Sequence, residues 1–473
     1  MLPMSEHAGI RSARLLSALV LVGVASSCAT THPDEALHDA GMLAGARGAP
    51  MVVWRIDAEP GAPPTDAVQT LLARPLDADT AVAIAVERNP ELRATLERAG
   101  IAQADLAQAT RISGLTLGGS WLSGSGDAHK TSWNVGFELL DILIMPLRKR
   151  VAEAAVQQAK LEIGQAVLDL VAETRTAFAR AQASRAVADR LREAAAAEQA
   201  AAEFAEALFA AGNLGELERA QARAASAERR AESVRAELDA SADREAVQRL
   251  LGLRDAAGWT AAPLAPLPEQ DPPLAEIDGA ASRRLDLEAA RFAVETLEHA
   301  ISAKRKTRFL PVALEVGVER EDEGDRPQIT GPTLALRLPL FDTGKASLAG
   351  LDSELRQARW QLEARVVAAR SDARIASAGL RAAREQEELA RTELVPQRSR
   401  ALDLTLRSYN MMLVGAPAVL LAKQTELDAE RGAIAAQRDY WIARAELDRA
   451  LGGASGVTVD TAAKAETKKG TTR

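Results

Sequence analysis

The residues able to do chemistry in this 473-residue chain are few and poorly placed for catalysis. Its five histidines, His7, His32, His38, His129 and His299, are scattered, and none forms an H-x-x-x-H pair that one helix face could turn toward a metal ion. The glycine-rich "GSGDAHK" (Gly124–Lys130) lacks the G-x-G-x-x-G spacing before a helix that cradles a phosphate. Carboxylates are abundant, but they fall on amphipathic stretches, where acidic side chains form solvated faces. No enzymatic activity, cofactor or metal is expected from this inventory. A net charge of −8, with basic residues spread along the chain, gives no nucleic-acid-binding patch either.

One thiol stands apart. Cys28 is the single cysteine, so an intrachain disulfide is excluded. It follows Arg11 and Arg14, the apolar "LLSALVLVGVA" and the small residues "SS", an order that reads as a secretory signal over residues 1–27. The run resembles the bacterial lipobox, with Ala25 where leucine is usual. That resemblance implies acylation of the Cys28 thiol, which becomes the new N-terminus and a lipid anchor.

The elements that follow are long. Apolar residues make up 47% of the chain but aromatics only 3%, and alanine supplies much of the difference. Such a composition favours helices packed along narrow seams over a large globular core. Residues 28–78 read as an extended N-terminal linker, with "MVVWRID" (Met51–Asp57) as a docking piece. From Asp79 or Thr80, either able to cap, the pattern is helical, with a kink or break at Pro90. Alternation then predicts strands Leu115–Ser123 and Ser132–Leu140 around the glycine-rich turn. After Pro146 a helix of about 64 residues, roughly 96 Å long, runs from Arg148 to Ala211. Within it Val167, Val171, Thr174, Phe178 and Ala181 step by four and three, the spacing of a coiled-coil seam. The chain bends at Gly212, and a return helix runs from Leu214 to Leu251.

The same programme recurs after "GWTAAPLAPLPEQDPP", which is read as a separator. A helix (Arg284–Arg308) precedes strands Val312–Glu319 and Thr333–Phe341; a long helix runs from Gly344 to about Met412, bends at Gly415, and returns to Leu451. "RNPELRA" (Arg88–Ala94) and "RRLDLEA" (Arg283–Ala289) lie 195 positions apart, "QAKLE" and "QARWQ" 199, and the bend glycines 203. The widening offset is read as insertions of about one helical turn. The expected organisation is a first repeat over 79–251 (hairpin 115–140), a linker over 252–281 (equatorial, around the middle of the helical body, in the family resemblance given below), a second repeat over 282–451 (hairpin 312–341), and a polar tail over 452–473.

The apolar run "FELLDILIMPLRKRVA" (Phe137–Ala152) is too short for a bilayer-crossing helix but suits the end of a strand of membrane-spanning length, for which about 9–11 residues suffice. Four such strands cannot close a barrel, and open edges are not tolerated in lipid. Several chains must therefore share one. Two would supply about eight strands, which side chains fill, and three about twelve, which leave a conduit.

The signal and lipobox, "AVERNPELRA", the "LPLFDTGK" strand-to-helix passage and the doubled unit together resemble bacterial outer-membrane efflux proteins, the TolC-like family. The resemblance implies a mainly α protein with transmembrane β-strands. Its homotrimer would form a 12-stranded barrel continued by an α-helical coiled-coil tunnel through the periplasm. Its implied function is the outer-membrane channel of a tripartite efflux or secretion system with a periplasmic adaptor and an inner-membrane pump. The bends would be the adaptor-docking tip, with Gly212, Leu214, Gly215 and Leu217 on one and Gly415, Pro417, Leu420 and Leu421 on the other. Many members carry an arginine and two carboxylates where this chain has Pro417, Leu421 and Gln424. An acidic constriction would then fall to Glu216 and Glu218 at the first bend. The competing reading is a lipid-anchored periplasmic coiled-coil scaffold or adaptor without a pore.

Overall fold

The computed structural model describes residues 33–52, 54, 59, 61–111, 116–123, 129–254, 258–271, 279, 281–307, 313–322, 327–337 and 344–454. Cys28, four residues of Met51–Asp57 and most of the C-terminal tail lie outside them. The elements in order are α1 (Pro33–Gly45), α2 (Asp66–Leu72), α3 (Ala78–Arg88), α4 (Pro90–Ala109), β1 (Thr116–Ser123), β2 (His129–Glu138), α5 (Leu139–Ala210) and α6 (Glu216–Leu250). Then come α7 (Leu285–Thr307), β3 (Ala313–Asp322), β4 (Ile329–Arg337), α8 (Lys345–Leu389), a π-helical turn (Ala390–Leu394), α9 (Val395–Asn410) and α10 (Ala416–Ala450).

Two compact units divide the chain. The first includes Glu97–Lys160 and Glu288–Glu363. Its four strands form one antiparallel sheet in the order β1-β2-β3-β4. In the same unit α4 meets the start of α5 through Ala102, Leu106, Val156 and Ala159, the two alanines letting the backbones approach closely. The second unit includes His38–Leu96, Leu161–Leu287 and Ala364–Arg473. In it α5 pairs with α6 through Ala188, Leu191, Ala236 and Ala240, and α8 with α10 through Leu380, Ala383, Tyr440 and Leu447. The expected seam, Val167, Val171, Thr174, Phe178 and Ala181, is buried throughout. Ion pairs such as Arg192–Glu237 (2.6 Å) line the α5–α6 joint; being exposed and screened by water, they orient the joint more than they stabilise it.

Several boundaries differ from expectation for physical reasons. The cap of α3 is Asp77, whose carboxylate accepts from the Thr80 N–H at 2.7 Å. At "RNP" the helix breaks: Asn89 accepts from the Leu92 N–H (2.8 Å) and donates to the Leu250 carbonyl (3.0 Å), so one side chain starts α4 and ends α6. Residues 28–78, read as extended, contain α1 and α2. Their alanines (Ala36, Ala40, Ala44) are buried, and packing supplied what weak periodicity did not show. Strand β2 stops at Glu138, and Leu139–Leu147 belongs to α5, with Pro146 inside the helix. A continuous apolar run carries no period, so it could not distinguish strand from buried helix. Strand β4 begins at Ile329, four residues earlier than expected, and takes in Pro332, which an edge strand tolerates although it has no N–H to give; residues 338–341 of the expected strand lie outside the described residues.

The repeats align differently from the glycine-to-glycine match. Buried Leu170, Thr174, Phe178, Ala181, Ala188 and Leu191 of α5 recur 199 positions later as Ala369, Ala373, Ser377, Leu380, Glu387 and Ala390. Beyond the π-turn, buried Ser226, Ala240, Val247 and Leu250 recur 200 positions later as Glu426, Tyr440, Leu447 and Ala450. A π-turn is one extra residue absorbed within a helix. The late insertion is therefore one residue at Ala390–Leu394, not a helical turn, and it lies just ahead of Pro396, which has no N–H for the regular ladder.

Candidate functional site: a two-faced sheet and two helical bends

Strand pairing fixes which side chains share a face. Leu117, Val135, Val318 and Pro332 form one row, and Phe137, Val316 and Leu334 the next. This face also carries Leu314 and Leu336, with Trp121 and Trp133 nearer the β-hairpin turns. Trp121 is 75% exposed, Trp133 66% and Leu334 70% within the single chain. His129, Thr131, Arg320 and Asp322 end this face at the turns. An apolar band closed by aromatic and then polar residues is the profile of a strand surface crossing from lipid to water.

The opposite face carries Thr116, Gly118 and Ser120 of β1, Lys130, Ser132, Asn134, Gly136 and Glu138 of β2, and Glu315, Gly317, Glu319 and Glu321 of β3. Glu138 stands directly opposite Glu315. Like charges opposed across a strand pair are unfavourable unless water solvates them, so this face belongs to water. Glu315 lies over Gly136, where any Cβ would collide with its carboxylate. Lys130 pairs with Glu321 at 3.0 Å. As expected, Val135 and Phe137 share the apolar face and Asn134, Gly136 and Glu138 the polar one; Leu139, expected beside Phe137, is instead the first residue of α5.

The bends are built alike. At the first, the Gly212 N–H donates to the Phe209 carbonyl (2.9 Å) and the Asn213 N–H to Leu208 (2.8 Å). At the second, the Met412 N–H donates to Tyr409 (2.8 Å) and the Leu413 N–H to Ser408 (2.9 Å). Both are Schellman closures with a left-handed residue, Gly212 (φ +75°) or Met412 (φ +57°). Gly215 and Gly415 then cap α6 and α10 in extended conformation. Thus Gly415 corresponds to Gly215, and Met412 takes the place of Gly212.

Of the anticipated tip residues, Leu217, Leu420 and Leu421 are exposed and Leu214 is half-buried. Pro417 occupies the first turn of α10, where its missing N–H costs nothing. Glu216 lies 3.5 Å from Arg219, whose guanidinium also covers the Phe209 ring at 3.9 Å, and Glu218 folds back over Gly215. The exposed Met411, Met412 and Leu413 were not singled out from sequence; the run "NMMLVG" offers no glycine at the position that turns. Among the described residues no cluster of histidine, cysteine and carboxylate could hold a metal, and no helix is long and apolar enough to cross a membrane.

A sequence profile described as "Outer membrane efflux protein" matches residues 82–253 and 277–453, most of the chain. The chain belongs to the outer membrane efflux protein family. It is an outer-membrane channel of the efflux and secretion type. Solved structures agree in fold. The Campylobacter jejuni CmeC outer membrane channel superposes with a TM-score of 0.70 at 17% identity, over 83% of this chain and 89% of that one. The Vibrio cholerae outer membrane protein VceC gives 0.66 at 19% identity, over 80% and 96%. A Pseudomonas aeruginosa membrane protein gives 0.64 at 24% identity, over 86% and 100%. A search of curated proteins gives no match.

Proposed function

We propose that three copies of this efflux protein pair their sheets edge to edge into one 12-stranded barrel, through which substrates leave the periplasm. The observation that carries this reading is the two-faced sheet with open outer edges: among the described residues neither β1 nor β4 has a second strand neighbour. Unpaired edges in a bilayer cost several kcal/mol per orphaned group, so partner chains must satisfy them. The helical bends meet a periplasmic adaptor that links the channel to an inner-membrane pump. Cys28, acylated, adds a lipid anchor that the barrel itself does not require. With Pro417 and Leu421 at the second bend, contact there rests on backbone and apolar side chains more than on charge. A pore-free scaffold would have no use for an exposed apolar strand face.

The test places arginine on each face. Phe137→Arg puts a cation on the lipid side, at about 2–4 kcal/mol per chain near the bilayer midplane. It should deplete heat-modifiable trimers from the outer-membrane fraction. Glu138→Arg, one residue on and facing water, should assemble normally. Equal tolerance of both substitutions would refute the barrel assignment.

A further inference from the structure

The stretch between the repeats is a strap, not a spacer. From Trp259 to Asp271 it carries Pro263, Pro266 and Pro268, which have no N–H to donate. The strap's start pairs with Leu76, whose N–H donates to the Thr260 carbonyl (2.8 Å) and whose carbonyl accepts from the Ala262 N–H (2.7 Å). Mid-helix backbone groups are already paired with one another, so the helices hold the segment through side chains. They do so from both helical hairpins. On the first, Trp259 is buried against Phe178 (ring centroids 6.3 Å) under the Arg244 guanidinium, which also donates to the Trp259 carbonyl at 2.8 Å. Gln182 of α5 donates to the Ala262 carbonyl at 2.7 Å. On the second, Gln437 and Trp441 of α10 donate to the Ala265 carbonyl at 2.8 and 2.9 Å, and Leu267 packs on the Leu380–Tyr440 cluster.

The strap ends in its strongest contact. Arg384 of α8 grips both carboxylate oxygens of Asp271, at 2.7 and 2.8 Å, and the Pro268 carbonyl at 2.9 Å. Tyr440 of α10 donates its hydroxyl to Asp271 at 2.6 Å. Asp271 thus joins the outgoing and returning helices of the second hairpin to a segment whose other end is fixed on the first. The Arg384 guanidinium holds the Asp271 carboxyl below the usual carboxylate range, and burial, followed by the Asp271 contact, pushes Tyr440 up to about 12. The first hairpin has no equivalent: Arg185, 199 positions before Arg384, pairs with Asp189 and Glu237, and Ala240 stands where Tyr440 does.

We propose that Asp271 is a latch: through Arg384 and Tyr440 it fixes the spacing of the two helical hairpins within a protomer, and so sets the bore of the tunnel they wall. The inference rests on the channel reading above. Asp271 is a positioning residue, acting through the helices it holds.

The experiment uses full-length trimers carrying Asp271→Ala, Tyr440→Phe or both, reconstituted in planar bilayers, with hydrogen exchange followed over residues 259–271. Asp271→Ala should broaden the single-channel conductance distribution about twofold. It should also speed exchange in the strap while trimer yield stays unchanged. Tyr440→Phe, which removes one hydroxyl and keeps the ring, should do the same to a smaller degree, and the double variant should not exceed Asp271→Ala. Conductance identical to wild type in a variant whose strap exchanges faster would overturn the latch, as would unchanged exchange. If Asp271→Ala fails to assemble, Tyr440→Phe decides by the same criteria. If wild-type trimers conduct nothing, the channel reading fails. The latch is then judged by spin labels at Ala196→Cys and Arg400→Cys, whose distance distribution should widen on loss of Asp271; an unaltered distribution would overturn it.

Discussion

The two helical hairpins perform the same turn with different residues. The first reverses through Gly212, for which a left-handed conformation carries no side-chain penalty; the second places Met412 there, 94% exposed, with nothing burying it to repay the strain. The first outgoing helix runs 72 residues without a break, whereas the second is interrupted by a π-turn before Pro396. Their cores differ too. The large ring stands on the outgoing helix in the first (Phe178, opposite number Ser377) and on the returning helix in the second (Tyr440, opposite number Ala240). Duplicated geometry therefore does not demand duplicated residues: each hairpin needs one αL position, one small-residue seam and one ring, and the places can be exchanged. The second hairpin holds the strain and the ionic latch, which marks it as the more adjustable of the two.

The largest break in this comparison should come from the rings. Phe178→Ala removes the floor beneath Trp259 and leaves a cavity in a buried seam, at a cost of about 3–5 kcal/mol. Thermal unfolding of the detergent-solubilised protein should show it, together with faster exchange at the Trp259 end of the strap. The bends should respond in opposite directions. Gly212→Val forces a β-branched residue into the left-handed region and should lose about 1–2 kcal/mol, while Met412→Gly should gain about 1 kcal/mol. If Gly212→Val and Met412→Gly shift stability in the same direction, the hairpins are equally relaxed and the asymmetry is illusory.

The smallest and sharpest difference is in pH. The strap's first anchor is the neutral amide of Gln182, which does not titrate; its second is Asp271 with Tyr440. Asp271 has a folded pKa below its ordinary 3.8, so its contribution is present above that value and is lost as the pH falls through the depressed one. Tyr440, raised from 10.0 to about 12, contributes fully below 10.0 and loses that contribution as the pH rises through about 12. Corrected for the intrinsic rate, which itself rises with pH, protection near Asp271 should therefore be level between about pH 5 and 9 and fall above about 10. Protection near Ala262, whose N–H is held by the Leu76 carbonyl at 2.7 Å, should show no such fall.

Much of this was legible from one-dimensional pattern. Alternation gave the strand pairs and their faces, because a period of two survives whatever the partners are. The four-three steps at Val167–Ala181 gave the seam, and every one of those residues is buried. Glycine at 212 gave the first bend, since a left-handed turn usually recruits it. The second bend was misaligned for the same reason: the turning residue is methionine, and the eye settles on Gly415, the cap. "LG" at Leu251-Gly252 and again at Leu451-Gly452, 200 positions apart, carried the correct register and went unused.

Sequence by itself determined the alternating strand faces, the doubled helical plan and the family, because these depend on periodicity and order along the chain. Tertiary structure alone decided where Leu139–Leu147 goes, how one extra residue is absorbed at Ala390–Leu394, and what the proline-rich stretch is for. A continuous apolar run and a π-turn have no distinguishing period. Beside the side chains of Trp259, Leu267 and Asp271, the strap is held at its carbonyls, which leave no mark in sequence, since a backbone oxygen is the same in every amino acid. Its recognition lies in Gln182, Arg384, Gln437, Tyr440 and Trp441, scattered over three helices and brought to one line only when those helices pack.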